Sequence, residues 1–97
     1  MQLYFLEWRL PPESGPLDAA ERDRHDAFLK HHSPPLELAG AFEAGGEAVR
    51  GWMAVLEAES VSAASEFART SPMSRSGLFV EPEPRRFVLE FRPSSNW

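Results

Sequence analysis

Prolines divide this chain into short segments, and that division constrains the fold more than any other feature of the sequence. Proline lacks the backbone N–H that helices and central strands require, and it disfavours helical geometry in the residue before it. Most of the prolines are therefore expected to close an element or to lie in a linker. Nine of the 97 residues are proline, at positions 11, 12, 16, 34, 35, 72, 82, 84 and 93.

Four of the resulting segments have the composition and the alternating pattern of β-strands. They are residues 2–10, 35–43, 49–59 and 87–92. Alternation of apolar and polar side chains, bounded by proline or glycine, is typical of strands. The glycine pair at 45–46, between the second and third segments, predicts a hairpin. Gly40, inside the second strand, is expected to permit a close backbone approach or a β-bulge.

Two segments between the strands are predicted to be helices. Asp18 can cap the first helix, and Glu21 three residues later completes a variant of the capping box. Ser60 can cap the second helix. The helices are expected to span about residues 19–32 and 61–70, each ending just before a proline. Residues 71–86 are expected to be irregular, because two prolines near their end disfavour a regular central strand.

The order of these elements, β-α-β-β-α-β, predicts an α+β fold of the ferredoxin-like type. Two helices can then cover one face of a four-stranded antiparallel sheet within a single domain of residues 1–93, which leaves 94–97 as a C-terminal tail. The first and third strands are apolar on both faces, and the chain has no further element to cover the second face. An apolar face of that size normally marks an interface, so we expect a homodimer in which two sheets pack face to face.

Composition excludes several classes of function. With no cysteine, the chain has no disulfide, no thiolate nucleophile and no cysteine-based metal site. A net charge of -5 and the lack of a basic cluster argue against nucleic-acid binding. No apolar run is long enough for a membrane span and no signal peptide opens the chain, so the expected location is the cytoplasm. No motif for a nucleotide, a zinc protease or a serine nucleophile is present, and neither a cofactor nor a metal is expected.

His25 is the residue whose chemistry is most useful near neutral pH. Imidazole has a reference pKa of about 6.5, so it can serve as a general acid or base. Glu21 lies four residues earlier on the same helix face, either as an ion-pair partner or as a second metal ligand. A metal site that also uses His32 is disfavoured, because no third ligand has convincing spacing. The alternative for His25 is a structural histidine that packs at the edge of the helix.

Short stretches typical of one known family occur here in the family's order. They are Arg22-Asp23-Arg24-His25, Phe28-Leu29, Leu38-Ala39-Gly40, Trp52 to Ser60, Ala63 to Ala68, and Ser71-Pro72-Met73 to Phe79. Together they resemble the YCII-related family over nearly the whole chain. The resemblance implies a ferredoxin-like fold that dimerises through its sheets. It also implies cofactor-free chemistry, since some relatives are enzymes such as a dehydrochlorinase that acts on a chlorinated hydroxyquinol.

The resemblance assigns roles to particular residues. His25 matches the family's histidine on the first helix, and Arg22 matches an arginine three positions before it. The family's partner aspartate, which precedes a proline after the second helix, is replaced by Ser71. A serine hydroxyl can hydrogen-bond the imidazole, but it cannot supply the negative charge that stabilises an imidazolium. Of the nearest acids in the sequence, Glu21 has a better helical phase than Asp26 for taking that place.

Two functions remain open at this point. The first is a cofactor-independent small-molecule enzyme (a lyase, isomerase or dehydrochlorinase) with His25 and Ser71 as catalytic residues. In that function, Arg22 and Arg75 are the residues expected to bind a small polar or acidic substrate. The alternative is a non-catalytic ligand-binding or interaction module that keeps the dimer and the pocket, because the family's aspartate is missing.

Overall fold

An antiparallel sheet with helices on one face forms the fold, as the order of elements predicts. The computed structural model describes residues 1–32, 35–44 and 48–90. Within these ranges the elements are β1 (Gln2–Arg9), α1 (Ala19–His31), β2 (Leu36–Ala44), β3 (Ala48–Ala58), α2 (Val61–Arg69), α3 (Pro72–Ser76) and β4 (Arg85–Phe87). The strand order is β2-β3-β1-β4, with antiparallel neighbours throughout, which confirms the ferredoxin-like α+β prediction.

Side-chain caps fix where the two longer helices begin. The Asp18 carboxylate accepts a hydrogen bond from the backbone N–H of Glu21 at 2.8 Å, and the Ser60 hydroxyl accepts one from Ala63 at 3.1 Å. Both predicted N-caps are therefore confirmed. None of the helices in the described ranges is long and apolar enough to cross a membrane.

The core lies between the helices and one face of the sheet. Strands β1 and β3 pair in a register that sets Trp8 opposite Trp52 and Leu6 opposite Ala54 on this face. Alternation along each strand sends every second side chain to the same side. Trp8 and Leu6 are fully buried, and the indole N–H of Trp8 donates a hydrogen bond to the Ser74 hydroxyl at 3.2 Å. This bond attaches α3 to the sheet.

The segment predicted to be irregular contains a further short helix, α3. Ser71 caps it, because its hydroxyl accepts a hydrogen bond from the N–H of Ser74, and Pro72 occupies the first turn. A serine cap followed by proline is a favourable helix start, so the prediction of irregular structure over residues 71–86 is wrong at this point. The helix ends at Gly77, whose φ of 75° lies in the left-handed region that glycine adopts without strain.

The last strand starts earlier and is shorter than predicted. The alternating pattern predicts a strand over residues 87–92, whereas β4 ends at Phe87. It pairs with the beginning of β1, where Phe87 lies opposite Leu3, and β1 starts only one residue before Leu3. Because β1 begins at Gln2, the ladder has room for one further pair at most and cannot continue through residues 88–90. The predictions for the tail 94–97 and for the hairpin turn 45–46 lie outside the described residues.

The close backbone approach predicted at Gly40 occurs instead at Gly51. A methyl group added to Gly40 would meet nothing within 4 Å, and the register shifts between β2 and β3 lie elsewhere, so this prediction is wrong. On β3, a methyl group added to Gly51 would collide with the backbone oxygen of Trp8 and with Cζ of Phe42, which is 2.5 Å away. The Phe42 ring lies against Gly51, its partner in the ladder, and only a hydrogen side chain leaves room for it.

The second face of the sheet is largely apolar and carries no helix among the described residues. Leu3, Phe5 and Met53 are partly buried on it, and Leu38 is 59% exposed. The guanidinium of Arg85 lies 4.9 Å from the centroid of the Phe5 ring. Both faces of β1 are apolar over its first half, and Glu7 and Arg9 complete the second face, whereas the dimer that this pattern suggests stays a prediction.

Candidate active site

His25 lies on the inner side of α1, where its imidazole is fully buried. Two aromatic rings meet it edge-on: Trp52 of β3, with centroids 4.9 Å apart, and Phe79 of the segment after α3, with centroids 5.2 Å apart. Trp52 is itself held by a hydrogen bond from its indole N–H to the Asp26 carboxylate at 2.9 Å. The imidazole is therefore fixed by packing at the point where α1, β3 and the segment after α3 meet.

Among the described residues, Glu21 supplies the carboxylate nearest to this imidazole. Its Oε2 lies 3.7 Å from Nε2 of His25, a distance too long for a hydrogen bond. Its other oxygen, Oε1, accepts a hydrogen bond from Nη1 of Arg24 at 2.6 Å. Glu21 rather than Asp26 faces the imidazole of His25, as the helical phase predicts. The carboxylate of Asp26 instead accepts the hydrogen bond from Trp52. Glu21 and His25 are thus close to each other without being bonded.

Three polar atoms of this pair are buried without a hydrogen-bond partner in the part of the chain that the structure describes. They are Oε2 of Glu21 and both ring nitrogens of His25. Native proteins pair nearly all buried polar groups, since an unpaired one costs about 1–3 kcal/mol. An unpaired group in a native structure therefore calls for an explanation, and a catalytic or binding role is one. The pair marks this place as the candidate active site.

Burial holds the pKa of His25 below its ordinary value of 6.5, because a charged imidazolium loses its hydration inside the protein. The carboxylates of Glu21 and Asp26 oppose this effect and raise the pKa, whereas the guanidinium of Arg24 lowers it further. The loss of hydration is the largest of these effects, so the ring is neutral at neutral pH. A neutral imidazole can accept a proton, as a general base must.

The depressed pKa of His25 predicts that the protein loses stability as the pH falls below neutrality. In the unfolded chain the imidazole takes up a proton near its ordinary pKa of 6.5, whereas in the folded protein it does so only at lower pH. The free energy of unfolding therefore decreases as the pH falls between these two pKa values. Urea denaturation at about pH 7.5 and about pH 5.5, above the range where most carboxylates titrate, measures the loss.

Two glutamine variants test whether His25 causes that loss. In His25→Gln the loss between the two pH values should be smaller, because glutamine does not titrate. His31→Gln, at the exposed end of the same helix, is the matched control and should keep the wild-type loss. An undiminished loss in His25→Gln would contradict the effect of burial on this imidazole.

Ser71, the second predicted catalytic residue, is also fully buried, but its hydroxyl forms hydrogen bonds with residues close to it in the sequence. The hydroxyl donates to the carbonyl oxygen of Ala68 at 2.7 Å and accepts from the N–H of Ser74 at 3.1 Å. These two bonds join the end of α2 to the start of α3. The single proton of the Ser71 hydroxyl is thus donated to α2 and is not available to His25. The side chain that contacts the imidazole is Glu21.

Ser71→Ala is expected to lower the free energy of unfolding by about 2 kcal/mol, at the upper end of the range for a lost helix cap. The N–H of Ser74 would lose its partner at a part-buried place. Ser60→Ala is the matched control, since it removes the same kind of bond at an exposed place, and it should cost about 1 kcal/mol or less. Urea denaturation compares the variants, and equal losses would show that burial adds nothing at Ser71.

An open cavity of about 500 Å³ lies between α1 and α3, beside the His25–Glu21 pair. It is lined by Glu21, Arg24, Pro72, Arg75, Ser76 and Leu78. Small-molecule sites in proteins have volumes of about 300–1,000 Å³. Because Glu21 belongs both to the wall of this cavity and to the buried pair, it links the cavity to the imidazole.

The two arginines predicted to bind substrate are placed differently. Arg75 lines the cavity, whereas Arg22 is exposed on α1 and does not line it. Arg24, which the sequence-based choice missed, lines the cavity instead. Its spacing of three residues from Glu21 puts both side chains on one face of the helix, and that spacing was the available signal.

Among the residues that the structure describes, no third ligand accompanies Glu21 and His25 in the metal-site alternative. Nδ1 of His32 donates a hydrogen bond to the carbonyl oxygen of Phe28 at 2.8 Å, one turn back along the chain. The ring of His32 also packs against the ring of Phe28, with centroids 4.2 Å apart. Within the described ranges, no three His, Asp or Glu side chains are placed to hold a metal ion.

Comparison with known proteins identifies the fold. Neither a protein-family model nor a curated protein matches this sequence. A solved structure with a similar fold is 5-chloro-2-hydroxyhydroquinone dehydrochlorinase (TftG) from Burkholderia phenoliruptrix AC1100, in complex with 2,5-dihydroxybenzoquinone. The match has a TM-score of 0.62 and 21% sequence identity, and it covers 88% of this chain and 93% of that chain. A likeness of this degree shows a related fold over most of the chain, while membership in the YCII-related family stays a prediction.

Proposed function

We propose that this chain is a small cofactor-independent enzyme in which His25 acts as the acid–base residue beside the α1–α3 cavity. The observation that carries the proposal is the buried His25–Glu21 pair, three of whose polar atoms have no partner among the described residues. The fold that the chain shares with a dehydrochlorinase favours a lyase, isomerase or dehydrochlorinase reaction. The site residues, rather than the fold alone, make the proposal specific.

The proposed reaction begins with proton transfer to His25. The neutral imidazole takes a proton from an acidic C–H bond of the bound substrate. In a dehydrochlorination of a chlorinated hydroquinone, the ring reacts as its diketo tautomer, in which neighbouring tetrahedral carbons carry the C–H and C–Cl bonds. The electron pair of that C–H bond becomes the new π bond, and chloride leaves with the electron pair of the C–Cl bond. Glu21, whose Oε2 lies 3.7 Å from Nε2, stabilises the imidazolium that forms. Glu21 thereby takes the role of the aspartate that Ser71 replaces.

Phe79 controls access to His25 in this proposal. Its ring packs edge-on against the imidazole at 5.2 Å, and its neighbour Leu78 lines the cavity. Gly77, just before them, has a φ of 75° and ends α3. Displacement of the Phe79 ring is the step that brings the imidazole into contact with a molecule in the cavity.

The complete burial of His25 favours a second candidate function, a non-catalytic ligand-binding or interaction module. A ring with no exposed surface cannot touch a substrate until a neighbour moves. The presence of Ser71 in place of the family's aspartate also favours a non-catalytic module, because a serine cannot supply a negative charge beside the imidazole. Such a module binds small molecules in the cavity without converting them.

Chloride release from 5-chloro-2-hydroxyhydroquinone distinguishes the two functions. The compound is incubated with and without the protein under anaerobic conditions, which suppress its oxidation by air, and free chloride is measured. An enzyme of the proposed class should release chloride faster than the protein-free control. A binding module should shift the NMR signals of residues that line the cavity while chloride release stays at the protein-free rate. Release at that rate would overturn the dehydrochlorinase proposal.

We also propose that a second copy of the chain covers the open face of the sheet. Apolar side chains, including Leu3, Phe5 and Met53, lie on this face of both central strands, as expected of one half of an interface. Charged side chains of both signs also lie on this face, Glu7 and Glu57 on the central strands and Arg85 on β4. A two-fold pair requires such a self-complementary surface, because the same patch serves both partners.

Phe5→Glu is expected to convert the dimer into a monomer. The new carboxylate would be desolvated in an apolar interface without a partner. Val61→Glu, at an exposed position on α2, is the matched control and should stay dimeric. Sedimentation at micromolar concentration measures the mass, and a wild-type protein that sediments at 10.9 kDa would rule out the dimer.

A further inference from the structure

The α1–α3 cavity differs in charge from two other cavities in the described part of the chain. Its ionisable walls are Arg24, Arg75 and Glu21, so it carries an excess of one positive charge. A cavity at the sheet edge has an excess of one negative charge, and a cavity between α1 and β2 is balanced. The ionisable residues that line the sheet-edge cavity are Glu7, Glu81, Glu83, Arg9 and Arg85. Those that line the cavity between α1 and β2 are Asp26 and Lys30. In a chain with a net charge of -5, a positive cavity attracts anions that most of the surface repels.

Arg75 is the cation of this cavity that is available to a ligand. Arg24 is already paired, through its bond of 2.6 Å to Glu21. Arg75, in the last turn of α3, takes part in none of the ion pairs formed among the described residues. The arginine side chain presents a planar fork of N–H donors that matches a carboxylate or a similar anion.

We propose that the α1–α3 cavity binds a small organic monoanion, whose charged group pairs with Arg75 and whose apolar body lies against Pro72 and Leu78. The excess positive charge of the cavity fits a single negative charge. The side chain of Leu78, which is 43% exposed, offers the apolar surface. The inference rests on the proposed function, because it names the class of molecule on which His25 acts.

The expected affinity is modest, and it depends on both parts of the ligand. A single solvent-exposed ion pair is weak, so the charge alone does not hold a molecule in an open cavity. Contact of an apolar body with Pro72 and Leu78 adds to the ion pair, since apolar surface is removed from water. A dissociation constant of about 1 mM is the expected order of magnitude.

Three probes separate the two contributions. Benzoate carries both the charge and an apolar ring, benzamide keeps the ring without the charge, and acetate keeps the charge without the ring. NMR titration of the whole chain measures the dissociation constant of each. We expect benzoate to bind at about 1 mM, and the other two probes to bind at least about 5-fold more weakly.

Substitutions of arginine locate the site. Arg75→Gln should weaken benzoate binding by about 5-fold, because it removes the charge and keeps much of the side chain. Arg69→Gln, at the end of α2, is the matched control and should leave binding unchanged. Equal binding of benzoate and benzamide would overturn the proposal. So would a loss of binding in Arg22→Gln in place of Arg75→Gln.

Different experimental results would overturn the proposed anion site and the proposed enzymatic function. Benzoate binding that depends on Arg75, without any protein-dependent chloride release, would support the anion site and overturn the dehydrochlorinase. Chloride release that depends on His25, together with equal binding of benzoate and benzamide, would support the dehydrochlorinase and overturn the anion site.

Discussion

In the chloride-release assay, His25→Gln is expected to be about 100-fold to 10,000-fold slower than the wild-type protein, the usual contribution of a general acid–base residue. Burial lowers the pKa of His25, so the folded ring is neutral at neutral pH. Glutamine is also neutral and is of similar size, and it can occupy the same place against Trp52 and Phe79. The variant should therefore keep the fold while it loses the group that accepts the proton.

Glu21→Gln tests the second residue of the pair through the pH dependence. The carboxylate of Glu21 raises the pKa of His25, so its removal should lower that pKa further. The base then stays unprotonated to lower pH, and the acidic limb of kcat/KM should move to lower pH. A Glu21 that only supports the fold would change the rate without moving the limb.

His31→Gln is the matched control for His25→Gln, because it makes the same change at the exposed end of the same helix. It should release chloride at the wild-type rate. Circular dichroism establishes that each variant is folded before its rate is compared. A folded His25→Gln variant with the wild-type rate would show that another group is the base.

Local signals account for the part of the fold that could be predicted. Asp18 and Ser60 have the side chains that cap helices, and the structure uses both for that purpose. The limits of β4 could not be predicted, since they depend on where β1 begins at the opposite end of the chain. Phe87 pairs with Leu3, and the alternating pattern after Phe87 carries no information about that partner.

Only those contacts of the candidate site that lie within a single helix could be predicted from the sequence. The spacing of Glu21 and His25 placed both on one face of α1, and the structure brings them to 3.7 Å. Phe79 meets the imidazole through a segment whose path depends on α3, so no local pattern could reveal the contact. The sequence predicts that Ser71-Pro72 follows the end of one helix and belongs to the family's site, yet the same two residues start the next helix.

Gly51→Ala is expected to lower the free energy of unfolding by about 3 kcal/mol, in the upper part of the range for overpacking. The added methyl group would collide with the carbonyl oxygen of Trp8, which belongs to the backbone of β1 and cannot rotate away. It would also press on Cζ of Phe42, which is 2.5 Å away. For a domain of this size the loss corresponds to a drop in Tm of about 15 °C, which thermal denaturation measures.

Gly40→Ala, on the neighbouring strand β2, is the matched control. Its added methyl group meets nothing within 4 Å, and its φ is not positive, so alanine fits there without strain. Alanine loses less conformational entropy than glycine on folding, and this variant should be as stable as the wild type or more stable by about 0.5 kcal/mol. The two variants make the same chemical change on paired strands and differ in what lies beside the new methyl group. An equal Tm for both would show that β1 and β3 separate enough to admit a methyl group, and that the close approach at Gly51 is not required by the fold.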